Sequence, residues 1–483
     1  MKAFTPFLPH LSGLLFGRPP RSHQTRMRAE LESLQQASLG QLTGLFSKHI
    51  PAKVLAPAKN GKGSRRRLFS RYTTFWTFFA QVLTVDGSCR EALRKLQAWQ
   101  ASEGGPMADS STSAYCQARG RLDTDQLRAL HEQVAGDVRR RTMSKPCVLG
   151  RSVKVVDGTG VSMPDTRENQ AVWPQTKAQK PGCGFPFAKL VGLFDLDNGV
   201  LMDWAEGCKH DSEQTLFRRL WPRIVEGDIV LGDKAFGSYA AMASLKMQGA
   251  DSLMPLHQAR DFTFRQGKRI GPKDRLVTWQ KPASPKPGWS KTDWQRLPET
   301  FTVRIVEIQV SQPGFRVQKY ILATTLLDNS EWPPERLAKL YFRRWSIELF
   351  FRDIKTTMGM DILRCQAPEM VRKEIIMHAI VYNCIRSLMQ HAATLYDVPI
   401  ERISFKGCCD ALRQWADAFN AHAGKPRKQK EMLEALLKII AEDALPHRPG
   451  RSEPRVKKRR PKNYQLMTKP RHEMVVSESR RKW

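Results

Sequence analysis

Residues Tyr341–Lys355 read YFRRWSIELFFRDIK. Placed on a helix, Tyr341, Arg344, Glu348 and Lys355 fall at offsets 0, 3, 7 and 14. At about 100° per residue they share a stripe about 60° wide and about 21 Å long. One face thus presents a phenol, a guanidinium, a carboxylate and an ammonium. Leu340, Ile347, Phe350, Phe351 and Ile354 form the adjacent apolar face. The expected helix runs from Glu335 to about Met358 and begins after Trp332-Pro333-Pro334, since Pro is well tolerated in a first turn. A solvated charged face gives the same stripe, so a chemical reading needs partners elsewhere in the chain.

Two partners lie upstream. Val153–Val156 is a short β-branched run ending at Asp157, and Asp228–Gly232 (DIVLG) is a buried-strand run ending at Asp233. Each acid is followed by small or turn-forming residues, DGTG and DKAFG. Between them, Lys189–Asp195 and Val200–Trp204 flank Asp197-Asn198-Gly199, the strongest short hairpin signal. Ser212–Val225 and about Ser238–Gln248 read as helices, and Ser252–Leu256 as a further strand. Single acids at two strand ends and one acid on a later helix can converge on one point. Three carboxylates held together repel unless cations lie between them, and hard divalent ions with oxygen ligands suit that role, Mg²⁺ above all. Two such ions about 4 Å apart clamp the attacking and leaving oxygens of a phosphoryl transfer.

Composition agrees. The chain has 483 residues, with 79 Lys plus Arg against 47 Asp plus Glu, a net charge of +32. So large an excess calls for a polyanion: nucleic acid first, an anionic membrane second. No run of 18 or more apolar residues spans a bilayer, and Tyr72–Val85 is too short. The first residues (MKAFTPFLPHLSGLLFGRPP) have the outline of a signal peptide, but Pro6, Pro9 and His10 break the apolar run and no clear small-x-small cleavage site follows. The expectation is a cytosolic protein. The nine cysteines form no CxxC pair. Cys208 beside His210 and the Cys408–Cys409 pair lack a second ligand pair at zinc spacing, so they read as reduced structural thiols.

Five segments are expected. Residues 1–145 are mostly helical, with helices at Met27–Phe46 and Tyr72–Trp99 around a basic loop, Lys59–Arg71. Ser110–Leu122 opens with good N-caps and carries Gln117, Arg119 and Arg121; facing outward, these can enter a major groove, though an ordinary surface helix reads the same. Residues 146–256 hold the strand–hairpin–helix–strand order. Residues 257–328 are a β-rich insertion, rich in Pro, Gly, Lys and Trp, with alternating runs at Phe301–Val310 and Phe315–Thr325. Residues 329–400 carry the Glu348 helix and a second apolar helix, Val371–Tyr396. Residues 401–483 end in a tail, Arg451–Trp483, with 12 Lys or Arg against 3 Glu.

At these residues the chain resembles the DDE transposases of bacterial insertion sequences, and more narrowly insertion-sequence family four. The helix signature of that family is Tyr-x2-Arg-x3-Glu-x6-Lys, and Tyr341, Arg344, Glu348 and Lys355 match it without a gap. The likeness covers about 150–400, and less specifically the helical front as a DNA-binding region. It implies an α/β protein with an RNase H-like catalytic core, in which Asp157, Asp233 and Glu348 are catalytic and hold two Mg²⁺ ions, replaceable by Mn²⁺. It implies that Tyr341, Arg344 and Lys355 hold phosphates near the cleaved end. Where the family often has Arg after its second Asp, this chain has Lys234, which keeps the charge but not the bidentate fork. Some relatives cut the second strand through a DNA hairpin and use an aromatic of the β insertion to hold a flipped base. Tyr320 lies 28 residues before Glu348, about where that aromatic belongs; a strand residue packed in the sheet is the other reading.

The resemblance further implies double-stranded DNA partners, both element ends and target, a homodimer on paired ends, and a place in the bacterial cytoplasm at the nucleoid. Asp195, Asp197, Asp203 and Asp211 are explained by hairpin and turn positions, His210 by a surface or capping role, and Trp345 by packing. Two rival functions stand beside a transposase: a metal-dependent nuclease on the same core, which cuts without joining, and a basic DNA-binding protein whose acids are structural.

Overall fold

The computed structural model describes residues 46, 49–56, 68–84, 87–102, 109–142, 148–258, 260–285, 288–310, 318–421, 426–445, 467–470 and 473–474. The chain divides into two compact units. One takes in Met1–Ser144, Arg352–Met360 and Glu369–Pro446; the other takes in Lys145–Phe351, Asp361–Pro368 and His447–Trp483.

The first unit is helical. Its front holds α1 (Arg71–Leu83), α2 (Cys89–Ser102), α3 (Ser113–Gly120) and α4 (Thr124–Thr142). The single helix expected over Tyr72–Trp99 is two helices. The break falls at Gly87, whose φ of +58° is a left-handed value that only glycine adopts without cost. Ser88 then accepts a hydrogen bond from the Glu91 amide (3.1 Å) and starts the second helix. The expectation that Gln117, Arg119 and Arg121 face outward together needs correction. Gln117 and Arg121 are exposed, but Arg119 is buried. Its guanidinium lies over the rings of Phe78 (4.9 Å) and Tyr115 (5.2 Å), so it is a packing residue of this unit. Later helices, Pro368–Leu395 (from Glu369 onward), Phe405–Ala421 and Pro426–Glu442, complete the unit. Met27–Leu45 of the helix expected over Met27–Phe46, residues 59–67 of the basic loop and most of the Arg451–Trp483 tail lie outside the described residues. No described helix is long and apolar enough to cross a membrane.

The second unit is built on one mixed sheet. It comprises β1 (Val153–Ser162), α5 (Arg167–Val172), β2 (Phe187–Asp195), β3 (Leu201–Gly207), α6 (Glu213–Arg218), β4 (Ile229–Leu231), α7 (Tyr239–Met247), β5 (Asp251–Pro255), β6 (Lys268–Gly271), β7 (Asp274–Gln280), α8 (Lys291–Gln295), β8 (Thr300–Val310), β9 (Gln318–Thr324), α9 (Pro334–Phe342) and α10 (Ser346–Arg352). The nine strands run β3-β2-β1-β4-β5-β9-β8-β7-β6. The hairpin forms as read: β2 and β3 pair antiparallel, and Gly199 takes φ +69° in the turn. β4 lies parallel to β1, and β5 parallel to β4. The strands of the 257–328 segment extend this same sheet, because β9 pairs with β5 (Leu253 opposite Thr324).

One face of the sheet buries Val156, Val191, Leu193 and Val230 against Leu216 and Phe217 of α6 and Leu245 of α7. On β2, Phe194 meets Phe350 (5.4 Å) and Phe351 (5.2 Å). These contacts fix α6 and α10 on the sheet by burial of apolar surface.

Three expected elements of this unit differ. The helix expected over Ser212–Val225 ends at Arg218, and a 3₁₀ turn, Trp221–Arg223, follows. The first strand does not end at Asp157; it continues to Ser162, with Gly158 and Gly160 opposite Val191 and Lys189. The ladder to β2 satisfies a backbone that reads locally as a turn. The Glu348 helix is not continuous. α9 stops at Phe342, Arg343–Trp345 form a 3₁₀ turn, α10 follows, and Asp353–Thr357 form a π turn. The tight turn stacks Trp345 on Phe342 at 5.7 Å. The polar stripe is therefore not uniformly solvated: Tyr341 is 2% and Arg344 8% exposed.

Candidate active site

The site begins with strand register. β1 and β4 run parallel with Val155 level with Leu231. Asp157 and Asp233 each come two residues later, so parallel pairing brings both carboxylates to one end of the sheet. Asp157 Oδ1 accepts from the Gly158 amide (2.8 Å), and Asp233 Oδ1 accepts from the Ala235 amide (2.7 Å). The latter bond shapes the turn that leaves β4.

Arg344, held in the 3₁₀ turn, reaches into this end. Its Nη1 is 3.4 Å from Asp157 Oδ2, and its Nη2 is 4.0 Å from Glu348 Oε1. Its guanidinium also lies 4.8 Å from the Trp345 ring and 5.8 Å from the Tyr341 ring. Arg344 Nε is buried with no hydrogen-bond partner. Glu348 differs from its neighbours: its side chain is 60% exposed.

Electrostatics follow from this packing. Burial pushes the Asp157 carboxyl up to about 6; the Gly158 amide and Arg344 oppose the rise, while the Asp233 and Glu213 carboxylates add to it. Burial likewise pushes the Tyr341 phenol up to about 12, against Arg344 and with Tyr320 and Asp233. Asp157, Asp233 and Glu213 thus feel one another as like charges, which identifies a place where a cation is favoured.

The candidates read from sequence distribute as follows. Asp157, Asp233, Tyr341 and Arg344 come together, and Glu348 joins them across Arg344. Tyr320, on β9 opposite Ile308, has its ring 6.1 Å from Tyr341 and 6.0 Å from Trp345. Lys234 is at the edge, with Nζ 3.3 Å from Gln258 Oε1. Lys355 lies in the π turn and belongs to the helical unit. The other acids have structural partners. Asp195 pairs with buried Lys154 (3.0 Å), Asp203 with Arg223 (2.9 Å), and Asp211 accepts from the Cys208 amide (2.7 Å). The described cysteines are free thiols.

The donor set for a metal is all carboxylate oxygen, which fits a hard divalent ion. Among the described residues, however, no three His, Cys, Asp or Glu side chains stand together closely enough to hold one ion. Asp157 and Asp233 are the pair already drawn together, and Glu348 stands beyond Arg344.

Trp345 packs as read, on Phe342, Tyr341 and Arg344. Sequence reading missed one residue here, Glu213. A signal for it existed: Gly158 inside a strand marks a close approach, and a Cβ there would stand 2.8 Å from Glu213 Cδ.

Comparison with known proteins decides the family. Residues 149–384 match the Transposase DDE domain, and residues 36–132 match the Insertion element 4 transposase N-terminal family. Transposase InsG for insertion sequence element IS4 of Escherichia coli (strain K12) is 27% identical over 356 residues, covering 73% of this chain and 77% of InsG. The chain belongs to the insertion-sequence-four DDE transposases.

A second relative of this transposase, the putative transposase InsL for insertion sequence element IS186A of Escherichia coli (strain K12), is 31% identical over 71 residues, 15% of this chain and 19% of InsL. The piggyBac transposase synaptic complex with hairpin DNA aligns over 88% of this chain and 87% of its own at 10% identity. Its TM-score of 0.38 is too low to bear on fold or function. Membership carries the general properties of the class. The transposase has a DDE domain, which implies an RNase H-like fold, and it is a metal-dependent enzyme of DNA cleavage and strand transfer. Enzymes of this class use divalent metal ions.

Proposed function

We propose that this transposase moves its element by cut-and-paste, with Asp157, Asp233 and Glu348 as the metal-holding acids. The observation that carries the reading is the shared register of Asp157 and Asp233 at one end of β1 and β4, with Arg344 linking Asp157 to Glu348. The strand order β3-β2-β1-β4-β5, with the first three antiparallel and the last two parallel to β1, supports an RNase H-like core. On this reading the 257–328 strands are an insertion, the front helices bind DNA, and the chain ends in helices and a basic tail.

The substrate is double-stranded DNA ending in the inverted repeats of the element. A water oxygen attacks phosphorus as the bond from phosphorus to the 3′ oxygen breaks, leaving a 3′-OH and a 5′-phosphate. In the second step that 3′-OH attacks a phosphodiester of target DNA and displaces its 3′ oxygen. Two Mg²⁺ ions, or Mn²⁺ in their place, would supply activation of the attacking oxygen and stabilisation of the leaving one.

The side chains of this protein do the rest. Asp157 and Asp233 hold the cationic centre at the sheet end. Glu348, exposed and on a short helix, swings toward it once Arg344 turns to phosphate. Arg344 offers a buried guanidinium with an unused Nε, suited to a phosphate beside the scissile bond. Tyr341 is buried and stays a neutral donor at working pH. Lys355 and Lys234 add charge for the DNA backbone. Tyr320, packed edge-on against Trp345, is the aromatic against which a base swung from the duplex would stack.

Two ends must be paired before joining, so the working form is a homodimer on DNA, in the bacterial cytoplasm at the nucleoid. The test uses labelled element ends, target plasmid and Mg²⁺. Joined products support the reading; cutting without joining reduces the protein to a nuclease, and binding alone to a structural DNA-binding protein.

A further inference from the structure

We infer that Glu213 is a fourth acid of the active site, a positioning residue that acts through water on the metal held by Asp157 and Asp233. This rests on the metal assignment proposed above. Three independent features of the structure support it.

The first is approach. Glu213 lies against the backbone of Gly158, the residue next to Asp157. A Cβ at position 158 would be 2.8 Å from Glu213 Cδ and closer still to Oε1. Along a strand successive side chains point to opposite faces. Asp157 and position 158 therefore face opposite ways, and the missing side chain at 158 opens the route by which a carboxylate from α6 comes up beside Asp157.

The second is anchoring. Three residues tie down the short helix that carries Glu213. Gln214 Nε2 donates to Ala235 O (2.8 Å), in the turn that Asp233 itself caps. Arg218 donates to Gly288 O (2.8 Å), pairs with Asp293 and lies over Trp289 at 4.2 Å. Arg219 donates to Glu206 O (3.0 Å). The helix is tied to the Asp233 loop on one side and to the β-rich segment on the other.

The third is that the carboxylate is unused. Among the described residues Glu213 makes no hydrogen bond and no ion pair through its side chain. Lys189 is the nearest compensating cation, and its ammonium already donates to Asp211 O (2.8 Å) and Lys209 O (3.5 Å). A half-buried carboxylate close enough to be felt by Asp157 and Asp233 adds repulsion that Lys189 and Arg344 oppose. Among the described residues no three acids stand together closely enough for one ion, so the role inferred for Glu213 is through water and not direct ligation.

The experiment compares the full-length protein with Glu213→Gln, Glu213→Asp, Gly158→Ala and Asp157→Asn. Mn²⁺ binding is titrated by electron paramagnetic resonance, with no DNA present. End cleavage is then followed against Mn²⁺ concentration, and metal-free DNA-end binding checks folding. Residues around a metal site typically contribute 10–100-fold to affinity. Glu213→Gln is expected to weaken Mn²⁺ binding about tenfold or more, and to raise the half-saturating Mn²⁺ for cleavage by the same factor. Glu213→Asp should fall between it and wild type, and Gly158→Ala should follow Glu213→Gln by displacing the carboxylate. If Glu213→Gln binds and uses Mn²⁺ as wild type does while Asp157→Asn is inactive, the inference is overturned and the metal assignment stands. If Asp157→Asn is active, the metal assignment itself fails. Should Glu213→Gln not fold, Glu213→Asp decides by the same outcomes.

Discussion

Arg344 Nη1 lies 3.4 Å from Asp157 Oδ2, joining a strand to a turn 187 residues further along the chain. The same guanidinium reaches toward Glu348 at 4.0 Å. One buried cation thus stands between two of the acids assigned to metal, and it limits their repulsion in protein without metal. Arg344→Ala should destabilise the metal-free protein by about 1–3 kcal/mol at pH 8, below the range for a fully buried pair because Asp157 keeps some solvent. At pH 5 Asp157 is mostly protonated, so the loss should shrink. Urea unfolding at both pH values checks it; an equal loss at both would mean that the guanidinium matters for packing alone.

Asp157 titrates at about 6, raised chiefly by burial. A carboxyl whose folded pKa is raised opposes folding at high pH. That cost is absent below the ordinary value near 3.8 and grows as pH rises toward 6. Asp353, also pushed up to about 6 by burial, acts in the same window. Metal-free protein should therefore lose stability between about pH 4 and 6, and Asp157→Asn should flatten part of the slope. Metal binding needs the carboxylate, so Mn²⁺ affinity should fall about tenfold from pH 7.5 to 5. Calorimetric titration at the two pH values measures it.

Much of the core was legible in the sequence because its signals are local. The β-branched run at Val153 and the Asn198-Gly199 turn have few alternative readings. The extension of β1 through Gly158 and Gly160 was not legible, since glycines weaken a strand and the ladder to β2 is long-range. The break at Arg343–Trp345 was hidden for the opposite reason: every residue there suits a helix, and tertiary packing of Trp345 on Phe342 sets the local geometry. The burial of Arg119 was not legible, because it depends on Phe78 of another helix as well as on Tyr115 one turn back.

Lys154 is fully buried on β1, 3.0 Å from Asp195 and 3.7 Å from Asp228. It holds the strand end opposite to the active site. Lys154→Ala leaves two carboxylates without their cation and should cost about 3–5 kcal/mol. A chemical-denaturation midpoint within error of wild type would show that the network contributes little.

Tyr320 meets Tyr341 at a tilt and Trp345 edge-on, at the end of the sheet where the proposed function puts a stacked base. Stacking recovers about 1–3 kcal/mol per base. Tyr320→Ala should leave first-strand nicking unchanged and slow a later hairpin step by about tenfold, while Tyr320→Trp preserves it. A denaturing gel that separates nicked, hairpinned and fully cut ends gives the answer. Wild-type rates for all three in Tyr320→Ala would make Tyr320 a sheet residue.

The most direct measurement is single-turnover cleavage of a labelled element end by Asp157→Asn, Asp233→Asn and Glu348→Gln, with end affinity measured on the same samples. The substitutions preserve shape and remove only charge. The expected result is loss of cleavage by at least about 10³-fold in all three, a scale reached when a positioned electrostatic group is removed, with end affinity within a few-fold of wild type. Cleavage by Glu348→Gln at the wild-type rate would contradict the assignment of the three acids.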